Sequence, residues 1–185
     1  MGFKLTIGLI YQREYLSKFF AKGGRSLMNI VCFHNPEEEN GYLSNWYKSD
    51  FVAEEIKFSS MEQFMMYQKA VHFNDIASAK QILETDDVAE IKALGRGVTG
   101  FEESYWNGIR QIVVYEGLIA KLSQNKSLKK LLLGTGKDIL AECAVKDIIW
   151  GIGVSMKDPD RFDKTKWKGQ NLLGYALMMV RSRLR

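Results

Sequence analysis

The chain of 185 residues reads as one mostly helical α+β domain with a small β-sheet. Three observations carry that reading. Apolar residues recur at helical spacing over most of residues 60–134 and again over 171–183. Short β-branched and aromatic runs occur only near residues 30, 55 and 140. No linker, repeat or low-complexity tract divides the chain, and its length suits a single core.

Each element has its own signal. Asn29–His34 reads as a strand, followed by a polar turn region with Pro36 that runs to Gly41. Residues 41–47 form an aromatic-rich loop, and Phe51–Phe58 alternates as a second strand beside the first. Ser59 or Ser60 starts a helix, with Glu62 or Gln63 at the capping-box position. Asn74-Asp75 caps a helix to about Leu83, and Thr85-Asp86 caps another that ends near Leu94-Gly95. Phe101–Leu122 reads as a long helix whose stripe of Tyr105, Ile109, Ile112, Val113 and Leu118–Ile119 should face the core. Asn125–Leu133 is a further helix stopped by Gly134, and Ile139–Cys143 is a short strand. A last helix runs to Arg183 and is N-capped by Asn171.

Charge separates the first 27 residues from the rest. Lys4, Arg13, Lys18, Lys22 and Arg25 against Glu14 give residues 1–27 the whole net charge of +4. Residues 28–185 are neutral overall, which disfavours strong non-specific binding to nucleic acid. We therefore expect a basic, loosely amphipathic extension over 1–27 and a domain over 28–185. Met28 directly before the first strand suggests an alternative translation start. Residues 1–6 fit the loose myristoylation pattern, which matches often by chance. No run approaches the roughly 20 apolar residues that span a bilayer, so no membrane partner is expected. Two cysteines make no disulfide framework, which points to a reducing, cytoplasmic setting. Cys32 and His34 form one close pair with no second pair to complete a zinc site, so no metal and no cofactor are expected.

Familiar motifs fail on context. Gly95–Gly100 fits G-x-G-x-x-G, yet a helix precedes it and no βαβ alternation surrounds it, so a glycine-rich turn is expected. Gly134-Thr135-Gly136-Lys137 lacks the remaining parts of a phosphate loop. Neither His34 nor His72 has a neighbour that marks it as a base, and a structural role is expected for both. What remains is an acid and a lysine, Glu62 and Lys69, on one face of the first helix with Met66 between them. A capped helix with a solvated lysine gives the same spacing. Ser44-Asn45-Trp46-Tyr47, Asp147–Gly153 and Gly169–Tyr175 add polar groups in apolar or glycine-rich settings. Glycines admit close backbone approach and a Trp face can stack on a base, although a turn closing on a core Trp looks the same.

Taken together, these residues resemble the YbiA-like, or NADAR, family. The likeness rests on Ser44-Asn45, Ser60-x-Glu62 with Gln68-Lys69, Gly95-Arg96, Trp106, Glu142, Asp147-x2-Trp150-Gly151-x-Gly153, and Asn171-x2-Gly174 with Arg181, in that order from about residue 29 onward. The segment Val154–Lys168 is longer than the family's glycine-rich link. The resemblance implies an N-glycosidase acting on ribosylated amines. Its substrate classes are ADP-ribose on guanine, in a DNA-repair sense, and phosphoribosylamino-pyrimidine intermediates of riboflavin synthesis. We expect the first, as ADP-ribosylated guanine in single-stranded DNA or as free nucleotide. A non-catalytic ADP-ribose or nucleotide reader is the rival, and Glu62, Lys69 and Asp147 together argue against it.

Cleaving a C1′–N bond builds positive charge on the ribose, which a carboxylate stabilises while a second acid or base serves the water or the amine. Glu62 and Asp147 are the expected pair. Lys69 offers a covalent route, because a ring-opened aminal can exchange its amine for a lysine. Ser44, Asn45, Trp46, Arg96, Trp150, Gly151, Gly153 and Asn171 are the expected substrate-binding residues. Trp46 and Trp150 would sandwich the base, and Asn171 would bring a helix N-terminus to the phosphates. A structural role is expected for Arg181.

Overall fold

The computed structural model describes residues 29–185; the expected basic extension and Met28 lie outside them. Strand β1 (Ile30–Phe33) is followed by a short 3-10 turn at Gly41–Leu43, then β2 (Phe51–Ala53) and β3 (Ile56–Phe58). Five helices follow: α1 (Met61–His72), α2 (Ile76–Glu84), α3 (Val88–Arg96), α4 (Glu103–Gln124) and α5 (Lys126–Gly134). Strand β4 (Ile139–Glu142) and helix α6 (Leu172–Arg183) complete the described chain. None of its helices is long and apolar enough to cross a membrane.

The sheet differs from expectation. Phe51–Phe58 is two strands, because Glu54 and Glu55 both take left-handed conformations (φ 51° and 64°) and reverse the chain. Two such residues make the tight hairpin turn that matches strand twist, here without the glycine or asparagine that usually signals it. Nor does this hairpin join β1. Strand β1 pairs in parallel with β4, with Phe33 opposite Glu142. The side-chain amide of Gln124 instead covers the free edge of β2, accepting from Val52 N at 2.9 Å and donating to Val52 O at 2.7 Å.

Helix α1 sits at the centre and packs against α2, α3 and α4. Its start resolves the capping choice. Ser60 Oγ accepts from Gln63 N at 3.1 Å, and Gln63 Oε1 accepts from Ser59 N at 2.7 Å. Gln63 thus serves the cap, and the Glu62 side chain is left out of it. Asp75 caps α2 as expected. Asp87, not Thr85 or Asp86, caps α3, accepting from Ala89 N at 2.9 Å and Glu90 N at 3.3 Å. Gly97 ends α3, so the glycine-rich stretch is a turn.

The expected stripe on α4 is partly wrong. Tyr105 and Ile112 are exposed (45% and 60%). The buried face carries Trp106, Arg110, Val113, Val114, Gly117, Leu118, Lys121 and Leu122. Two cations on that face disguise it. Arg110 lies against the Trp150 ring at 6.0 Å, and Lys121 against Tyr47 at 5.7 Å, while burial pushes Lys121 down to about 7. Cation–π contact is one way to accommodate such a charge.

Strand β4 divides the interior. Leu140 belongs to the main core, whereas Ala141 and Cys143 pack with Cys32, Ile152 and Val154 in a smaller cluster. By strand alternation Glu142 lies on the Leu140 side, at the carboxyl end of the parallel pair. Arg181 is structural, but without an ion pair among the described residues: it donates to Thr135 Oγ1 at 2.6 Å and Asp138 O at 2.8 Å.

Candidate active site

Helices α1 and α3, the loop before β2 and the loop after β4 enclose a cavity of about 140 Å3. Helix α3 approaches α1 closely because Gly95 has no side chain; a Cβ there would overlap Met66. Three acids line the cavity: Glu62, Glu142 and Asp147. Three cations face them: Lys69, Lys92 and Arg96. Trp46, Trp106, Trp150, Met65 and Met66 supply the apolar walls. The cavity therefore combines acids and cations in an apolar frame, with Lys92 and Arg96 near enough to oppose the rise in the Glu62 pKa.

The acids are not equivalent. Glu62 is 2% exposed, its Oε1 has no partner, and its backbone N–H is tied to Asn45 O at 2.9 Å. Burial pushes its carboxyl up to about 7, opposed by Lys92, Arg96 and the Trp46 indole and reinforced by Asp147. Glu142 Oε2 is also buried without a partner. Burial, then the neighbouring Asp147, raise Glu142 to about 8. Desolvation disfavours the charged carboxylate, so both groups retain protons near neutrality. Asp147 is half committed to structure: its Oδ1 accepts from Ile149 N at 3.0 Å and Trp150 N at 2.8 Å. That turn sets the Trp150 backbone.

Lys69 is buried, which lowers its pKa. Its Nζ donates to Gly95 O at 2.6 Å and lies 4.1 Å from the Phe101 ring centre. Lys92 lies 5.3 Å from the Trp46 ring, and neither it nor Arg96 forms an ion pair among the described residues. Asn45 Oδ1, also buried and unpartnered, completes the polar lining. Among the described residues no group of three or more His, Cys, Asp or Glu is arranged to hold a metal ion.

The fold brings Glu62, Lys69, Asp147, Asn45, Trp46, Arg96 and Trp150 together, as the sequence suggests. Four expected binding residues do not line this cavity. Ser44 caps the loop, accepting from Trp46 N at 3.3 Å, and lines only an adjoining cavity. Gly151 is needed for packing, since a Cβ would lie 2.8 Å from Glu142 O. Gly153 has φ +69°, a left-handed turn that favours glycine. Asn171 precedes α6 but does not cap it with its side chain. Instead it is fully buried, donates from Nδ2 to Leu140 O at 2.8 Å and accepts at Oδ1 from Glu142 N at 3.1 Å. Asn171 acts as a partner strand for β4 and fixes the backbone that carries Glu142, so it presents no anion cradle. The long segment 154–168 folds into two short 3-10 turns, with Trp167 Nε1 donating to Arg161 O at 3.0 Å.

Glu142 and Lys92 are absent from the sequence-derived site. Two signals point to them. Glu142 ends a buried strand, and ligands favour the carboxyl ends of parallel strands. Lys92 and Arg96 stand four residues apart on one helix face.

Comparison with known proteins gives one consistent family. Residues 32–185 match the profile of the NADAR domain. The chain is 36% identical over 159 residues to "N-glycosidase R617" of Acanthamoeba polyphaga mimivirus, covering 82% of this chain and 94% of that one. It is 30% identical to "Riboflavin biosynthesis protein VVA0006" of Vibrio vulnificus over 83% of this chain but only 38% of that larger protein. The solution NMR structure of the E. coli protein YbiA superimposes with a TM-score of 0.70 at 26% identity, covering 84% of both chains.

Proposed function

The chain belongs to the NADAR family, and we propose that it is an N-glycosidase that removes ADP-ribose from guanine, in single-stranded DNA or in a free nucleotide. The observation that carries this reading is the charge-lined cavity: buried acids with oxygens unpartnered among the described residues, together with Lys69, Lys92 and Arg96. A phosphorylated ribose suits that lining, since its phosphate can pair with cations and its C1′ needs an acid nearby. Trp46 and Trp150 offer aromatic faces to a ring, a contact typically worth about 1–3 kcal/mol per base.

The chemistry follows from the protonation states. Glu142 keeps its proton up to about pH 8 and donates it to the leaving nitrogen. In the direct route the electron pair of the C1′–N bond goes to that nitrogen, the amine departs neutral, and water adds to C1′ and returns a proton to Glu142. Glu62, ionised above about pH 7, stabilises the positive charge that develops on the ribose. Lys69 offers an alternative, covalent route in which the amine is still attached when the ring opens. Once the sugar opens to an imine, the unprotonated form of Lys69, favoured by its burial, adds to C1′ and passes its two N–H protons to the substrate amine, which leaves, so that a lysine Schiff base remains. Water then hydrolyses that bond, releasing the sugar aldehyde, which recloses, and restoring Lys69. The hydrogen bond to Gly95 and the Phe101 ring hold its nitrogen in place meanwhile.

A second reading, hydrolysis of phosphoribosylamino-pyrimidines, is supported by the riboflavin-biosynthesis relative. The two are separated by incubating the protein with ADP-ribosylated guanine, as nucleotide and within single-stranded DNA, beside a phosphoribosylamino-pyrimidine, and following product mass. Release of ADP-ribose from guanine is the expected result. Turnover of the pyrimidine alone establishes the second reading, and turnover of neither refutes both.

A further inference from the structure

A second cavity of about 180 Å3 adjoins the first. The two share a wall of Trp46, Lys92, Glu142 and Asp147. Beyond that wall the second cavity is lined by His34, Asn35, Pro36, Ser44 and Ala144. Its placement follows from the parallel pair. His34 directly follows β1, and Glu142 ends β4, opposite Phe33. The acid that ends β4 and the imidazole that follows β1 both line this chamber.

Two properties distinguish this chamber from its neighbour. First, its charge is different. Lys69 and Arg96 line the first cavity alone, while the loop beside His34 carries the exposed Glu37, Glu38 and Glu39. With Lys69 and Arg96 added to the shared Lys92, the first cavity attracts a phosphate more strongly than the second. Second, His34 Nδ1 is buried and has no hydrogen-bond partner among the described residues. A buried ring nitrogen without a partner costs free energy until a ligand supplies one. Each chamber has room for about one ring, given that a cavity of about 150 Å3 can accept benzene.

We infer that the His34 chamber takes up one uncharged ring of the departing heterocycle, with His34 contacting its polar edge, while the Lys69–Arg96 chamber holds the ribose and its phosphate. This inference rests on the N-glycosidase reading. It places the scissile bond at the shared wall, where Glu142 reaches the leaving nitrogen. His34 is then a specificity residue for the amine half, with no part in stabilising the sugar.

The test measures each product half separately, by inhibition of turnover and by equilibrium binding, with guanosine and ADP-ribose as probes. His34→Ala should weaken guanosine binding about tenfold or more, the effect of one buried hydrogen bond, and change ADP-ribose binding less than about twofold. Arg96→Ala should do the reverse. His34→Gln keeps a nitrogen donor and should retain most guanosine binding, which separates the contact from any loss of folding. Equal weakening of both probes by His34→Ala, or no change in guanosine binding, overturns the assignment. If the wild-type protein turns over only the pyrimidine substrate, the released aminopyrimidine replaces guanosine and the same split is expected. If it turns over neither, the N-glycosidase reading fails. Equilibrium binding still decides the chamber: guanosine binding that depends on His34 supports it, and no binding refutes it.

Discussion

Asp75 and Glu142 are both acids in mostly buried positions, and the protein treats them in opposite ways. Asp75 accepts from Ser78 N at 3.0 Å, Ser78 Oγ at 2.8 Å and Thr99 N at 2.8 Å. Those donors, the Ser78 backbone N–H first, hold its carboxyl well below the usual range. It caps α2 and ties it to the turn before α4. Glu142 has a buried oxygen with no donor, and burial raises it to about 8. A satisfied carboxylate is ionised and structural; an unsatisfied buried one holds a proton that it can give away. Asp147 stands between, one oxygen engaged by the turn at Ile149 and Trp150.

Several variants test that contrast. The largest effect is expected on the reactive side. Lys69→Ala and Glu62→Gln should each lose most turnover, by about 10²-fold or more, with melting temperatures near that of the parent. Borohydride during turnover should trap a sugar adduct in the parent and none in Lys69→Ala; full activity in that variant would remove the covalent route. Next comes Asn171→Ala, which leaves Leu140 O and Glu142 N without their side-chain partner. A loss of about 3 kcal/mol of stability is expected from denaturant unfolding, since each orphaned buried group costs about 1–3 kcal/mol. Turnover should fall with it, because Glu142 loses its fixed backbone.

Stability should also depend on pH in a way that separates the two kinds of acid. Glu62 and Glu142 titrate near 4.5 when unfolded and are raised to about 7 and about 8 when folded. Between those values the folded state binds more protons, so stability falls as pH rises from about 4.5 to about 8. Asp75 has the opposite sign: its folded pKa is depressed, so its contribution is present above its ordinary range, near 3.8, and is lost on acidification below it. Thermal unfolding of Glu142→Gln should show a flatter decline toward alkaline pH. The smallest effect on turnover is expected for Asp75→Ala, which should lower the melting temperature and leave the rate at permissive temperature near parental. A comparable loss of rate in Asp75→Ala would erase the distinction.

Much of this arrangement is legible in the residues. Helix starts at Ser60 and Asp75 follow from side-chain caps, and the shared face of Glu62 and Lys69 follows from helical spacing. What is not legible depends on distant contacts. Strand β1 pairs with β4 across more than a hundred residues, and nothing local in Ile30–Phe33 or Ile139–Glu142 specifies it. Glu142 carries part of the family resemblance, yet its place in the site is not legible until Phe33 and Asn171 are set beside it. The core face of α4 is obscured because Arg110 and Lys121 are buried against aromatic rings, while Tyr105 and Ile112 are exposed. Asn171 is found at the right position for a cap and does other work, since its amide reaches across to β4.

The central claim is that the unpartnered acid on β4 supplies the proton that releases the amine. The direct measurement is the pH–rate profile of ADP-ribosylguanine hydrolysis for the parent and for Glu142→Gln. For the parent the account predicts a rate that rises through about pH 7 as Glu62 ionises and falls above about pH 8 as Glu142 loses its proton. For a folded Glu142→Gln it predicts a rate about 10²-fold lower or less, with the falling limb gone. Parental rates with the falling limb intact in Glu142→Gln would contradict it.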